Sequence, residues 1–311
     1  MRTALLAAAR SPRLRRTAEH SRVTRPVVSR YIAGTDERDA LSTVEALVAD
    51  GLQVTLDHLG ENGTREQAQQ TANAYVSVLG ALAELGLGRR AEVSVKLSAI
   101  GQLLPDGEAL ATDYARLVCA AAAKAGTTVT LDMEDHTTTD STLRILAALR
   151  GDYPWVGAVL QAYLRRTESD CHDLASIGSR VRLCKGAYAE PESVAFRGAE
   201  VDDAYRRCLD VLFAGAGHPM IATHDPSMIA AARAAAQLYG RAPDSYEFQM
   251  LYGIRRDEQR ALVAHGEQVR VYVPYGTEWY DYFVRRLAER PANLALLVRS
   301  LFELGRPPGK R

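Results

Sequence analysis

A group of polar side chains near the C-terminus has the types and the spacing to bind an anion. Tyr282, Arg285, Arg286 and Glu289 follow one another at i, i+3, i+4 and i+7, so they share one face of a helix. Two neighbouring guanidinium groups offer several N–H donors in planes that match a carboxylate or a phosphate. A solvated helix face with ordinary salt bridges is the competing interpretation. The pattern alone leaves both open.

Composition and charge are those of an ordinary globular enzyme. The 311 residues include 38 Lys and Arg and 38 Asp and Glu, so the formal net charge is zero and no nucleic-acid partner is expected. Residues 1–30 contain eight Arg and one Glu, and we expect this basic arm to stay solvated. The four cysteines lack metal-ligand spacing, and no signal peptide or membrane span is expected. A reducing cytoplasm is the expected location.

Short apolar segments alternate with longer amphipathic ones along most of the chain. Eight candidate strands lie at 52–57, 93–98, 128–133, 156–161, 180–185, 219–224, 245–250 and 268–273. A helix-like segment follows each strand, most clearly at 66–85 and 203–214. Eight strand–helix units within about 250 residues predict a (β/α)8 barrel. An open doubly wound sheet is the alternative, but no Gly-rich fingerprint follows the first strand.

The alternation within these strands predicts charged side chains inside the barrel. Successive residues of a barrel strand point in turn to the interior and to the helices. In four different strands this rule directs Asp57, Lys96, Asp132 and Arg182 inward, and in the last strand it directs Tyr272 inward. Buried charges are costly unless paired, and barrel interiors normally contain Val, Ile and Leu. The pattern favours a preorganised polar site near the strand ends, and a purely structural network is the alternative.

Several motifs occur in a fixed order with strand–helix spacing between them. They are DHLGE at 57–61, SVKLS at 94–98, DMED at 132–135, QAY at 161–163, RLCKGAY at 182–188, TH at 223–224, YEFQ at 246–249 and YFVRRL at 282–287. Each one is weak alone, whereas the ordered set resembles the proline dehydrogenase family over about residues 25–305. No DNA-binding or aldehyde dehydrogenase segment accompanies the motifs, so we expect the monofunctional form.

The resemblance implies a distorted (β/α)8 TIM barrel of the α/β class, with its eighth helix above the C-terminal ends of the strands. It divides the chain into an N-terminal helical arm at 1–50, a catalytic barrel at 51–305 and a short tail at 306–311. A helix above the strand ends would explain why the face that carries the two arginines is polar.

The same resemblance implies a role for individual residues in binding the substrate. The substrate carboxylate would be held by Lys96, Arg285 and Arg286, with Glu289 bracing the arginines. Around the substrate ring it places Ala187, Tyr188, Leu251, Tyr272 and Tyr282. Glu61, in the first strand–helix loop, would pair with Arg285 as a gate that closes the site.

The cofactor implied by the resemblance is FAD rather than FMN. Arg182 matches a residue at flavin N5, and Gln161 matches a contact to the pyrimidine edge of the flavin. Lys185 and Gly186 match further cofactor contacts, while Thr223 and His224 match contacts at the adenine end. Asp132 matches an acid that would keep Lys96 charged and in place. Lys96, Asp132, Arg182, Arg285 and Arg286 are therefore the predicted catalytic residues.

The implied reaction is oxidation of L-proline to Δ1-pyrroline-5-carboxylate by hydride transfer to flavin N5, the first step of proline catabolism. The resemblance implies a membrane quinone as electron acceptor, with peripheral contact at the inner face of the cell membrane. It also implies a downstream pyrroline-5-carboxylate/glutamate semialdehyde dehydrogenase as a partner. The sequence departs from the bifunctional relatives at Asp225, where we expect Asn.

Three other functions compete with this interpretation. A hydroxyproline dehydrogenase would use the same site with a different ring substrate. A barrel lyase or hydrolase would bind a divalent metal through some of Asp132, Glu134, Asp135, His136, His224 and Asp225. Lys96 and Arg182 argue against the metal because they would place two cations in the same site. A non-catalytic barrel that binds an anion is the third alternative.

Overall fold

Eight parallel strands form a closed barrel in which neighbours in sequence are neighbours in space. The computed structural model describes residues 28–60, 63–176 and 178–288, the side chains of 285–288 excepted. The strands are β1 (Gln53–His58), β2 (Ala91–Val95), β3 (Val129–Leu131), β4 (Gly157–Gln161), β5 (Arg180–Cys184), β6 (His218–Ala222), β7 (Glu247–Leu251) and β8 (Val269–Tyr275). All eight predicted strands and the predicted (β/α)8 fold class are confirmed.

A helix follows each strand, and one further helix precedes the barrel. They are α1 (Glu37–Ala49), α2 (Arg65–Glu84), α3 (Gly107–Lys124), α4 (Thr139–Arg150), α5 (Thr167–Ser176), α6 (Ala199–Ala214), α7 (Pro226–Leu238), α8 (Arg256–Ala264) and α9 (Trp279–Ala288). Short 3-10 helices lie at Gly88–Arg90 and Ser98–Ile100. None of these helices has the length and apolar character needed to cross a bilayer.

The hydrophobic core lies between the strands and the surrounding helices. Val54 and Leu56 of β1 and Val93 of β2 are fully buried there against Tyr75 and Leu79 of α2. Removing such a side chain from water stabilises the fold by about 1.5–3 kcal/mol. Because these alternate residues face the helices, the residues between them face the barrel interior, as the sequence predicted.

Helix α2 fixes the strands that lead to the polar interior. It begins in a capping box. The Thr64 hydroxyl oxygen accepts from the Gln67 backbone N–H, and the Gln67 side-chain oxygen accepts from the Thr64 backbone N–H. Further along, the Tyr75 hydroxyl donates to the Ser94 carbonyl at 2.8 Å and accepts from the His58 N–H at 3.2 Å. One side chain therefore holds α2 against both β1 and β2.

The helices α1 and α9 cover different parts of the barrel. Ala40 and Val44 of α1 belong to the same buried core as Val54 and Val271, so α1 covers the side of the barrel where β8 meets β1. Helix α9 packs instead against residues just beyond the ends of β1 and β7, among them Leu59. This agrees with a last helix above the strand ends. The division at residues 50 and 305 stays a prediction, and 1–27 and 306–311 lie outside the described residues.

A network of buried charges lies near the N-terminal ends of the strands, which we call the lower barrel. The sequence did not predict this network. Arg270 donates to Glu247 at 2.8 Å and lies 3.8 Å from Glu92, which also accepts from Arg180 at 2.9 Å. Burial by itself would raise the pKa of Glu92, but Arg180 and Arg270 hold it at about 2. Both carboxylates are therefore ionised and paired inside the barrel.

Candidate active site

Four side chains from different strands meet at the C-terminal end of the barrel. The Lys96 ammonium donates to Asp57 Oδ2 at 2.6 Å and to the Tyr272 hydroxyl at 3.0 Å, and it lies 3.5 Å from Asp132 Oδ2. Asp57 is in β1, Lys96 and Asp132 directly follow β2 and β3, and Tyr272 is in β8. The predicted inward direction of all four is confirmed. The nearest carboxylate to Lys96 is nevertheless Asp57, whereas the sequence pointed to Asp132.

Arg182 of β5 completes this polar cluster from the opposite side. Its Nη1 donates to Asp132 Oδ1 at 2.6 Å and to the Ser94 hydroxyl at 2.9 Å, while its Nε donates to the side-chain oxygen of Gln249. The Tyr272 hydroxyl donates to the other oxygen of Asp132 at 2.7 Å. Asp132 therefore accepts bonds on both oxygens, and it holds Arg182 and Tyr272 in fixed orientations.

The charges of the cluster follow from its pKa shifts. Burial alone would lower the pKa of Lys96, but Asp57 and Asp132 keep it above its ordinary value. Burial opposes ionisation of Asp132, yet Lys96 and Arg182 lower its pKa below the ordinary value. Burial and the two neighbouring carboxylates raise the pKa of Tyr272 far above the usual phenol value. At neutral pH Lys96 is therefore a cation, Asp132 a carboxylate and Tyr272 a neutral phenol.

One guanidinium nitrogen of Arg182 is left for a bound molecule. This atom, Nη2, is buried and has no hydrogen-bond partner among the residues that the structure describes. A buried guanidinium donor without an acceptor is costly, and native structures rarely keep one without a reason. Arg182 can therefore donate to an acceptor atom of a ligand that lies over the cluster.

The remaining predicted cofactor residues surround the same end of the barrel. Gln161 is buried at the end of β4 and donates to the Glu134 carbonyl at 2.7 Å. The Thr223 hydroxyl accepts from the Asp225 N–H at 3.1 Å, and Asp225 pairs with Lys185 at 2.8 Å. The structure thus brings Lys185 next to the Thr223 segment. It also shows that the Lys185 ammonium is already bound by two carboxylates, those of Asp225 and Asp202.

His224 has a structural contact that the sequence did not reveal. Its Nε2 accepts from the Leu251 backbone N–H at 2.9 Å, which requires that this nitrogen carries no proton. The Arg255 guanidinium donates to the His224 carbonyl at 2.7 Å. Since Leu251 is a predicted wall of the substrate site, His224 links the end of β6 to that wall.

The structure describes only part of the predicted anion-binding group (Tyr282, Arg285, Arg286 and Glu289) and of the predicted gate (Glu61 and Arg285). Tyr282 is buried in the α9 cluster with Phe283 and Leu59. The side chains of Arg285 and Arg286 and the residues Glu289 and Glu61 lie outside what the structure describes. Their assignment to the substrate carboxylate and to a gate remains a prediction.

Two of the residues proposed for a metal site, Asp132 and Glu134, bind other side chains instead. Asp132 binds Arg182 and Tyr272, and the Glu134 carboxylate accepts from the Ser98 hydroxyl at 2.7 Å. Across the described ranges, no group of three or more His, Cys, Asp and Glu is placed to hold a metal ion. Nothing in this part of the chain favours the lyase or hydrolase alternative.

Several residues of the barrel interior were missed from the sequence. Gln249 orients Arg182, and Glu247 and Arg270 form the lower network. The signal was available, because Glu247 and Gln249 have the same inward direction as Leu251, and Arg270 has that of Tyr272. Applying the alternation to every strand position, and not only to those near the C-terminal ends, would have found them.

Comparison of the sequence with known proteins identifies related chains. The family model for proline dehydrogenase matches residues 40–298. Proline dehydrogenase 2 of Bacillus subtilis is 39% identical over 280 residues, which is 89% of this chain and 91% of the relative. The proline dehydrogenase of Deinococcus radiodurans is 38% identical over 307 residues, which is 97% of this chain and 98% of the relative.

A solved structure shares the fold at lower sequence identity. Proline utilization A from Bdellovibrio bacteriovorus, inactivated by N-propargylglycine, superposes with a TM-score of 0.81 at 24% identity. The match covers 92% of this chain, which spans 37% of that longer protein. The likeness concerns the barrel architecture.

Proposed function

The chain belongs to the proline dehydrogenase family, and from this premise we propose that it oxidises L-proline to Δ1-pyrroline-5-carboxylate with FAD as cofactor. The observation that carries the proposal is the cluster of Lys96, Asp132, Arg182 and Tyr272 at the barrel mouth. A small imino acid has one anionic end and an apolar ring. Cations beside an aromatic wall suit both parts of such a molecule.

The residues present fit a flavin. The buried Nη2 of Arg182 needs an acceptor, and the edge of an isoalloxazine ring offers nitrogen and oxygen acceptors. A bound flavin supplies the acceptor for the hydride that leaves C5 of proline. Its ring would be held by Arg182, Gln161, Lys185 and Gly186, and Thr223 and His224 would contact the adenine end of FAD. Arg182 would also stabilise negative charge that develops beside it.

The substrate carboxylate would be neutralised by Lys96, Arg285 and Arg286. Lys96 remains charged because its pKa is raised, although burial by itself would lower it. The ring would lie between Tyr272, Leu251 and Tyr282, with Ala187 and Tyr188 completing the wall. The Tyr272 ring is held through its hydroxyl, which accepts from Lys96 at 3.0 Å and donates to Asp132 at 2.7 Å, and the Arg182 guanidinium lies 5.3 Å from the ring centre.

The cluster positions groups and does not serve as a proton acceptor. Asp132 is the carboxylate that contacts Tyr272, but its pKa is lowered by Lys96 and Arg182 against the effect of burial, so it is a weak base. Lys96 and Tyr272 hold their own protons at neutral pH for the same electrostatic reasons. Proline would therefore bind with its amine already neutral.

Two partners are proposed: one accepts the electrons from the reduced cofactor, and the other consumes the product. A membrane quinone would reoxidise the cofactor, which requires peripheral contact with the inner face of the cell membrane by a cytoplasmic protein. The product is a cyclic imine that opens in water to an aldehyde. An aldehyde dehydrogenase acting on pyrroline-5-carboxylate or glutamate semialdehyde is therefore the enzyme that would consume it.

Product analysis tests this proposal. Purified protein, L-proline and an artificial electron acceptor should yield Δ1-pyrroline-5-carboxylate by mass spectrometry, and heat-released cofactor should chromatograph as FAD rather than FMN. A colourless protein that converts no proline would contradict it.

Replacing Arg285 or Arg286 by Met should mainly weaken proline binding. Losing one charge-assisted bond to the carboxylate costs about 1.5–3 kcal/mol, or roughly 10- to 150-fold in affinity. The measurement is the KM and the dissociation constant for proline at equal FAD content. Arg206→Met, on the exposed face of α6, is the matched control and should change neither value. If both variants kept the wild-type kcat/KM for proline, Arg285 and Arg286 would not bind the substrate carboxylate.

Replacing Tyr272 by Ser should narrow the preference for proline over 4-hydroxyproline. In the proposed binding mode the large ring would close the space that the hydroxyl group of hydroxyproline needs, and Ser would open it, so discrimination should change by about 1–3 kcal/mol. Tyr272→Phe is the matched control, because it keeps the ring and loses only the bonds to Lys96 and Asp132. If Tyr272→Ser kept the wild-type ratio of kcat/KM for proline to kcat/KM for 4-hydroxyproline, Tyr272 would not determine this specificity. A wild-type preference for hydroxyproline would identify a hydroxyproline dehydrogenase.

A further inference from the structure

The connection between β5 and α6 carries four residues of the proposed site but has little regular structure of its own. These residues are Lys185, Gly186, Ala187 and Tyr188, and we refer to the whole connection, residues 185–198, as the 185–198 loop. Ala187 and Tyr188 are exposed, while Glu190, two residues later, is buried. The shape of an exposed loop must come from its contacts with neighbouring elements.

The two ends of the 185–198 loop are bound to the turn after β4. The Tyr163 N–H donates to the Lys185 carbonyl at 2.9 Å, and the Phe196 N–H donates to the Tyr163 carbonyl at 2.7 Å. Tyr163, Leu164 and Ala195 form a small apolar cluster of their own. These contacts hold the base of the loop and leave its central part to be fixed by other groups.

The Glu190 side chain supplies the buried contact of this central part, while the Arg197 and Arg165 side chains bind the backbone carbonyls of Glu190 and Glu192. The Glu190 side chain is 3% exposed, and its Oε1 accepts from the His136 N–H at 3.0 Å and from the Tyr163 hydroxyl at 3.2 Å. Its other carboxylate oxygen contacts His136 Nδ1. A buried carboxylate is costly unless it is well bound, and these bonds join the loop to the connections after β3 and β4.

Tyr163 transmits the position of Glu190 to the cofactor segment. Gly186 has φ of +107°, and a Cβ there would lie 2.2 Å from Cδ1 of the Tyr163 ring. The tyrosine therefore packs directly on the Gly186 backbone with its ring while its hydroxyl binds Glu190. A shift of Glu190 would release Tyr163 and, with it, the backbone of 185–188.

We propose that Glu190 is a positioning residue for the proposed reaction, holding segment 185–188 against the flavin and the substrate through Tyr163 and His136. This inference rests on the proposed function for the ligands, whereas the anchoring of the loop does not depend on it.

The test compares Glu190→Ala and Glu190→Gln with Glu192→Gln, an exposed control on the same loop. Flavin affinity is measured by titrating the stripped proteins with FAD. Loop release is measured separately, as the rate of trypsin cleavage after Lys185 and Arg197. Glu190→Ala should weaken FAD binding by roughly tenfold or more, as expected for lost charge-assisted bonds, and should cleave faster. Glu190→Gln should lie between Glu190→Ala and wild type.

The outcomes separate the two proposals. Unchanged cleavage in Glu190→Ala overturns the positioning role, whatever happens to the flavin. Faster cleavage with unchanged FAD affinity and unchanged KM for proline overturns it as well. A wild-type protein that binds no FAD defeats the proposed function instead, and faster cleavage in Glu190→Ala would then still support the anchor. Tyr163→Phe, which removes only the hydroxyl, should reproduce part of the Glu190→Ala effect.

Discussion

Lys96→Met should lose nearly all proline oxidation and should also destabilise the barrel. The ammonium group lies between Asp57 and Asp132, and Asp57 is completely buried. Removing one partner of a buried ion pair leaves an uncompensated charge, at a cost of about 3–5 kcal/mol. The same change removes a cation from the proposed carboxylate site, so proline efficiency should fall by roughly a hundredfold or more.

A double variant separates the two effects of Lys96. In Lys96→Met/Asp57→Asn the uncompensated carboxylate is gone, so much of the stability should return while proline efficiency stays low. Urea unfolding gives the stability and initial rates give the efficiency. Lys124→Met, at the exposed end of α3, is the matched control and should change neither. Recovery of proline efficiency in the double variant would show that Lys96 serves only the fold.

Arg270→Met should produce the largest loss of stability without touching the proposed site. Arg270 is 3% exposed and pairs with Glu247 and Glu92 in the lower barrel. Its loss leaves these carboxylates with too little positive charge nearby, which should cost about 3–5 kcal/mol. Arg260→Met, on the exposed face of α8, should change the free energy of unfolding by no more than about 0.5 kcal/mol.

The pH dependence of this loss follows from the depressed pKa values. Although burial opposes it, Arg180 and Arg270 hold the pKa of Glu92 at about 2, below its ordinary value of 4.5. Its stabilising contribution is present above 4.5 and is lost as pH falls through about 2. Without Arg270 the carboxylates protonate at higher pH, so the deficit of the variant should be largest near neutral pH.

Unfolding at about pH 7 and about pH 5 measures this change. The difference in unfolding free energy between wild type and Arg270→Met should narrow at the lower pH. A deficit that is equal at both pH values would attribute the loss to packing instead of charge. Adding Glu247→Gln to Arg270→Met should restore part of the stability for the same electrostatic reason.

The alternation of side chains was enough to predict which residues meet at the barrel mouth. Lys96 and Asp132 directly follow their strands, Arg182 and Tyr272 lie in the middle of theirs, and the inward alternation of parallel strands in a closed barrel brings all four together. The pairing within the cluster could not be predicted. Whether Lys96 binds Asp57 or Asp132 more closely depends on side-chain rotamers and on how far the strands are staggered, and spacing along the chain carries neither.

Contacts made by loops were also beyond the reach of the sequence. Glu190 binds His136 and Tyr163 across connections that follow three different strands, and the His224 ring binds the Leu251 backbone. Such contacts depend on loop conformations that have no repeating pattern in sequence. Strand periodicity therefore predicts which side chains point into the barrel, whereas it does not predict the contacts of the loops around the C-terminal end.

Anaerobic addition of L-proline to the purified protein tests the central claim most directly. If the cluster of Lys96, Asp132, Arg182 and Tyr272 holds proline over a bound flavin, the visible absorbance of the oxidised flavin should bleach. Δ1-Pyrroline-5-carboxylate should form in an amount equal to the flavin reduced. The bleaching should be strongly impaired in Lys96→Met/Asp57→Asn at equal flavin content. A flavin that stays oxidised in the wild-type protein at saturating proline would contradict the account.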